Sequence, residues 1–425
     1  MGGQDSGSKR SSAKSSPHES PQIRGEPTAV VGQSEQGTRT KQRLKVALNI
    51  KVAKDNNWNL IIDKPPMPSL AQVTNTLQDN PQNLNLDNQG LLHGDALIEA
   101  GGSDEDGEFS ASDFDADDIS FLSSTRSSST SINSSILEHS YQNGRRYHRY
   151  RHGRYPLPND EAEQNREDML HAMMLEATDG RYFYAPIGDN PQKIADLGTG
   201  TGIWAIEVAE KYPSAEVLGL DLSPIQPSWV PPNVKFMVDD VEDEWLNGDE
   251  FDFVHLRNMI PILKSPVMLL KQIYANMKPG AWVELQDVDG QVHTDDYSIP
   301  DDWPLKRFTE LLVQCFALYG TNSHAAVFGG QYLAESGFVN IQHNFIKLPY
   351  GTWPKDKVMR LVGMYYRTAC EEFFPTMGAL HFPQLGWEKA EMEVFFAECR
   401  KSMRDPNVHA YGKMHFWSGQ KPLDG

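Results

Sequence analysis

The sequence predicts an α/β fold: a seven-stranded, mostly parallel sheet with helices on both faces, a helical insertion before the last strand, and a long disordered N-terminal tail. Three observations predict it. From Gln192 onward, apolar runs of strand length alternate with stretches of helical period, the pattern of a parallel sheet covered on both faces. The first run, Lys193 to Leu197, feeds directly into Gly198, Gly200 and Gly202, a glycine turn between a strand and a helix. The second run ends on Asp221, about twenty residues past that turn, where an acidic residue can hold a ribose hydroxyl pair.

Residues 1–139 of the 425 are rich in Ser, Gly, Gln, Asn and Asp and poor in aromatics. They bury too little apolar surface to offset chain entropy and are expected to be disordered. Lys41 to Ile62 is expected to form at most a transient element. Ser103 to Leu122 interleaves acids with aromatics, as an interaction segment or an acidic linker would, and Ser123 to Ser135 is a tract open to phosphorylation. Lys41, Arg43 and Lys45 match a nuclear localisation signal only weakly.

The folded domain is expected over residues 140–425, opening with an arm and helix over 140–190. Asn143 to Tyr155 alternates basic residues with tyrosines, which fits a nucleic-acid stacking surface or an arm over the cleft; the adjoining helix start favours the arm. Asp160 caps a helix with an acidic first turn that runs to about Ala177. Then come a strand Lys193 to Leu197, a helix Gly202 to Lys211, and strands Glu216 to Leu220, Val234 to Val238 and Phe251 to Leu256. A helix from Pro266 to Met277 leads through Pro279-Gly280 into a strand from Ala281 to Gln286. Helical period returns in Pro304 to Tyr319 and in Gly329 to Glu335, closed by Gly337. Val339 to Leu348 is a strand. Lys355 to Phe373 and Glu388 to Met403 are amphipathic helices, a candidate substrate cap over 355–403. His409 to Gly419 is the last strand, antiparallel to Val339 to Leu348.

The spacing of the glycines selects the ligand. A dinucleotide turn reads G-x-G-x-x-G and meets a pyrophosphate. Here Asp196 precedes G-x-G-x-G, and a carboxylate beside the turn repels a pyrophosphate but suits a ligand with an ammonium and a sulfonium. Glu284 and His324 are weak candidates for a general base. Trp204 and Trp245 are candidate walls for a base ring, with sheet packing the stronger role for Trp204.

The run from Lys193 to Trp204 resembles motif I of the class I S-adenosylmethionine-dependent methyltransferases, a Rossmann-like family. Asn143 to Arg166, Ile194 to Ala209, Leu220 to Phe236, Phe251 to Arg257, Met277 to Asp287 and His409 to Tyr411 resemble the fungal LaeA-like members in particular. The resemblance implies S-adenosylmethionine as cofactor. Its binding residues would be Asp196 on the ammonium, Gly198, Thr199, Gly200 and Gly202 in the turn, Asp221 on the ribose, and Asp240 with the Val241 N–H on the adenine. His255 and Arg257 would lie on the cleft floor, with Tyr147 and Arg151 reaching in from the arm. The family also implies either a small-molecule or protein methyl acceptor, or a regulatory subunit with a velvet-type protein partner in the nucleus.

Composition sets the remaining bounds. A net charge of −19 disfavours nucleic acid as a bulk electrostatic partner. Cys315, Cys370 and Cys399 lack metal-ligand spacing and are expected to be buried thiols, so no metal is expected. No apolar run has the length of a membrane span, and no secretory signal is expected. The chain is therefore expected inside the cell, in nucleus or cytoplasm. A dinucleotide-dependent oxidoreductase is the third reading, which the glycine spacing disfavours.

Overall fold

The computed structural model describes residues 94–101, 139–151, 155 and 157–424. The expected transient element, the acidic-aromatic segment, the Ser/Thr tract and the weak basic signal lie outside the described residues.

The described chain opens with a hairpin, β1 (His139–Gln142) and β2 (Arg145–His148). Asn143 and Gly144 turn it with φ of 51° and 78°, the left-handed pair that matches strand twist. Arg145 then forks onto Asp160 at 2.6 and 2.9 Å. Asp160 is also the N-cap of α1 (Glu161–Ala177), accepting from the Glu163 N–H. One carboxylate thus fastens the hairpin to the helix start.

The main sheet is built from β3 (Lys193–Leu197), β4 (Glu216–Asp221), β5 (Val234–Val238), β6 (Phe251–Arg257), β7 (Met277–Val288), β8 (Val339–Pro349) and β9 (Tyr411–Gln420). Its order is β5-β4-β3-β6-β7-β9-β8. The first five strands are parallel, and β9 runs antiparallel to both β7 and β8. From β3 the chain builds outward one way through β4 and β5, then returns to add β6 on the other side. The carboxyl ends of β3 and β6 therefore part at a topological switch point, where such sheets bind ligands. Helices α2 (Ile203–Lys211), α3 (Pro266–Asn276) and α5 (Gly329–Glu335) cover the sheet. Trp204, Ala205, Val208 and Ala209 of α2 are buried against β3 and β4.

A separate apolar cluster lies over the strand ends. It joins α1 to α4 (Pro304–Leu318), α6 (Lys357–Leu380) and α7 (Lys389–Ser402). Four helices thus share this cluster, of which the sequence places only the two over 355–403 in a candidate cap. At its centre Phe308 meets Phe374 edge-on at 4.7 Å, and Phe374 stacks on Phe396 at 5.6 Å.

Two other expectations need correcting. The helix expected to stop at Phe373 runs on through Pro375 to Leu380. Proline removes the bond to the Glu371 carbonyl, and Arg400 of α7 reaches that carbonyl at 3.5 Å instead. Residues 94–101 fall within the tail expected to be disordered, yet they are tied along β8 and the loop after its end. The Gly94 N–H donates to Phe345, the Gly101 N–H to Trp353, and the Lys347 ammonium to the Ala96 carbonyl at 2.8 Å. β8 is the edge of the sheet, and the bond to the Phe345 carbonyl covers one of its exposed backbone groups.

Candidate functional site

A cavity of about 330 Å³ opens at the carboxyl ends of β3, β4, β6 and β7, within the size range of small-molecule sites. Its floor at the switch point is polar, and its roof under the cap is aromatic.

The floor begins with the turn after β3. Gly198, Thr199 and Gly200 line it, with φ of 74° at Gly198 and 56° at Gly200. A Cβ on Gly198 would stand 2.2 Å from Met259 Sδ, and one on Gly200 would stand 2.7 Å from Glu167 Oε2. Bare backbone is what lets these neighbours close on the turn. Gly202 stands back from the cavity as the N-cap of α2, where a Cβ would strike the Phe236 ring.

Asp221 ends β4 and faces the cavity. It accepts from the Gly200 and Ser223 N–H groups, both at 2.8 Å. Burial pushes its carboxyl up to about 6, against those two bonds. Asp240 and Val241 line the same half, as does Arg257. Arg257 donates to His171 Nδ1, and His171 Nε2 lies 2.8 Å from Glu207. That chain sets the His171 proton on Nε2, and burial lowers the ring's pKa.

Several predicted site residues lie elsewhere. Asp196 is buried off the cavity, its oxygens taken by the Thr199 hydroxyl at 2.6 Å and His255 Nδ1 at 2.7 Å. It braces the turn from beneath rather than facing a ligand. His255 is sandwiched between that carboxylate and Trp204, whose ring stacks on it at 3.8 Å, and neither ring lines the cavity. Trp245 packs on Phe251 instead. Tyr147 is buried within the hairpin, and Arg151 is ion-paired with Asp243 outside the cavity. Among the described arm residues, Tyr155 lines the cavity. Glu284 accepts from the Tyr184 and Ala185 N–H groups and from Gln286, so it anchors the segment before β3 and does not face the acceptor side. His324 pairs with Asp289 at 3.2 Å, and Asp289, not His324, lines the cavity. Burial alone would raise Asp289, but hydrogen bonds from His293 and His324 hold it down at about 2. Among the described residues no cluster of His, Cys, Asp and Glu has metal-site geometry.

The largest omission of the sequence reading is α1. Arg166, Glu167, Leu170 and Met174 all line the cavity. Their spacing of one, three and four residues marks a single helix stripe, a signal present in the sequence. The aromatic roof comes from Phe308, Phe316, Tyr350, Tyr366, Phe373 and Phe374, drawn from three distant segments.

Comparison with known proteins agrees with this architecture. Residues 169–342 match the model of a methyltransferase domain family. The chain is 37% identical over 300 residues to the methyltransferase pytC of Aspergillus terreus, covering 70% of this chain and 93% of that one. It is 35% identical over 294 residues to the secondary metabolism regulator LAE1 of Cochliobolus heterostrophus, covering 66% of this chain and 94% of the relative. It is 35% identical over 287 residues to the protein-methionine methyltransferase laeA of Emericella nidulans, covering 66% and 76%. The chain belongs to the LaeA-like family of class I S-adenosylmethionine-dependent methyltransferases.

Proposed function

We propose that this methyltransferase holds S-adenosylmethionine in the polar half of the cavity and methylates a small, largely apolar, ring-bearing molecule seated in the aromatic half. The observation that carries this is the continuity of the two halves in one cavity, from Asp221 to Phe374. In this reading residues 140–425 are the catalytic domain, and 355–403 join α1 and α4 in capping it.

The residues present fit the cofactor. The Gly198 to Gly200 turn admits close approach, with no Cβ in the way. Asp221 keeps free lone pairs on both oxygens beyond its two backbone bonds, enough for a ribose hydroxyl pair. Asp240 and the Val241 N–H would take the adenine edge, and Arg257 the methionine carboxylate. When bound, the cofactor supplies an electrophilic methyl group on a sulfonium leaving group. The protein then contributes placement, which can supply most of the acceleration for such a displacement.

Aromatic side chains favour a flat apolar acceptor over a hydrated peptide. One corner is polar: the buried Ser323 hydroxyl lines the cavity without a partner, beside Asp289 with its two histidines. That corner would seat the acceptor's own hydroxyl or carbonyl. Incubation of fungal extract with methyl-labelled cofactor tests the reading. Label should enter the organic-soluble fraction only when protein is present; label confined to the protein fraction would overturn a small acceptor. The alternative, a regulatory subunit in a nuclear velvet-type complex, predicts no protein-dependent label in either fraction.

A further inference from the structure

We propose that Glu167 is the carboxylate that reads the ammonium group of the cofactor's methionine part, the role that spacing alone gives to Asp196. The proposal rests on the cavity binding S-adenosylmethionine and adds a recognition residue to it.

Three features of the geometry point to Glu167. It lines the cavity from α1, directly across from the glycine turn. Its Oε2 lies 2.7 Å from where a Cβ on Gly200 would stand, so the missing side chain is what lets the carboxylate lie against the turn. Asp196 is committed on both oxygens to Thr199 and His255, whereas no hydrogen bond or ion pair holds the Glu167 carboxylate among the described residues. A half-buried carboxylate aimed at the turn, with no hydrogen-bond or ion-pair partner among the described residues, is a group suited to a cation.

The surrounding charges say the same. Glu163 and Asp168 flank Glu167 on its own helix, Asp221 faces it from β4, and the Tyr155 phenol faces it from the arm. Of the nearby cations, Arg166 is occupied by Glu163 at 3.0 and 2.5 Å, and Arg257, which lines the same cavity and interacts with Glu167, donates to His171. Burial first, then the neighbouring carboxylates, push Glu167 up to about 8, with Arg166 offsetting part of the rise. Near neutral pH the group therefore carries a proton before ligand arrives. An ammonium favours the ionised form, so binding should expel that proton, and affinity should rise from about pH 6 toward about 7.5.

Titration calorimetry on the full chain tests this with two ligands. S-adenosylhomocysteine carries the amino-acid part, and 5′-methylthioadenosine has the same nucleoside and thioether without it. Measured at pH 7 in two buffers of different ionisation enthalpy, wild type should release most of one proton with the first ligand and none with the second. Glu167→Gln should weaken S-adenosylhomocysteine by about ten- to hundredfold, the loss of one charge-assisted hydrogen bond, and abolish the proton release. Its affinity for methylthioadenosine should not change. Glu167→Asp should weaken binding but keep the proton release. Both variants should melt at or above the wild-type temperature, since each relieves or retains the same repulsion. Equal weakening of both ligands in Glu167→Gln would show a merely structural role and overturn the proposal, as would wild-type affinity for S-adenosylhomocysteine. If wild type binds neither ligand, the cofactor reading fails first and takes this one with it.

Discussion

Replacing Gly200 with alanine separates backbone strain from ligand contact. Gly200 sits at φ +56°, where an L-residue costs about 1–2 kcal/mol. The added Cβ would also stand 2.7 Å from Glu167 Oε2, inside the roughly 3.5 Å of an ordinary contact. Because that oxygen ends a flexible side chain, the clash is relieved by swinging the carboxylate aside at little cost in stability. The matched control is Gly320→Ala, at φ +72° with nothing within 4 Å of its Cβ. Both variants should lose about 1–2 kcal/mol of stability, a fall of roughly 2–8 °C in melting temperature. They should part company on binding. Gly320→Ala should bind S-adenosylhomocysteine like wild type. Gly200→Ala should lose more than about tenfold, because the methyl enters the cavity and moves the carboxylate facing the turn. Thermal melts and calorimetry on the same samples decide it. If Gly200→Ala matches its control in both measurements, the turn does not touch the ligand and the site is misplaced.

The carboxylates around the sheet supply two further tests. Asp196→Ala should cost about 2–4 kcal/mol in chemical denaturation, since it orphans two buried donors, the Thr199 hydroxyl and the His255 N–H; an unchanged midpoint would remove Asp196 as the brace of the turn. Burial pushes Glu284 up to about 7, above its ordinary value in the unfolded chain. The folded state then binds more protons than the unfolded between about pH 4.5 and 7, so this group's contribution to stability is present at low pH and lost as pH rises through 7. Glu284→Gln should flatten the fall in stability between about pH 5 and 7 by up to about one proton in slope, and an identical slope in both proteins would refute the assignment.

The sheet was legible because its first four strands, β3 to β6, are short and largely apolar, and because Gly198 and Asp221 mark where two of its strands end. Element ends drifted where tertiary partners override local signals. Pro375 reads as a stop, and only the distant Arg400 makes it a tolerated interior residue. Asp196 and Glu284 lie off the cavity for a shared reason: sequence shows a carboxylate in a strand but not which donors inside the fold it meets, and both accept hydrogen bonds there. The aromatic roof was illegible in principle. Phe308, Tyr350 and Phe374 lie on three segments that meet only once the cap has packed.

In the proposed reading one helix, α1, lines both halves of the cavity, and its sequence says why. Along α1, Glu163, Arg166 and Glu167 fall on the same stripe as Leu170 and Met174, so one face is charged in its first two turns and apolar beyond. The charged part lies against the glycine turn, and the apolar part runs beneath the aromatic cluster. The change from one to the other occurs between Glu167 and Leu170, three residues and about 4.5 Å along the helix axis. A cationic cofactor and an apolar acceptor held on the two parts would meet at that step. A helix fastened at its start by Asp160 and Arg145, and packed along its length on α6, sets the distance between them without a moving part. Binding residues on loops could not fix that separation as firmly, because loop backbone lacks the ladder of bonds that makes a helix a ruler.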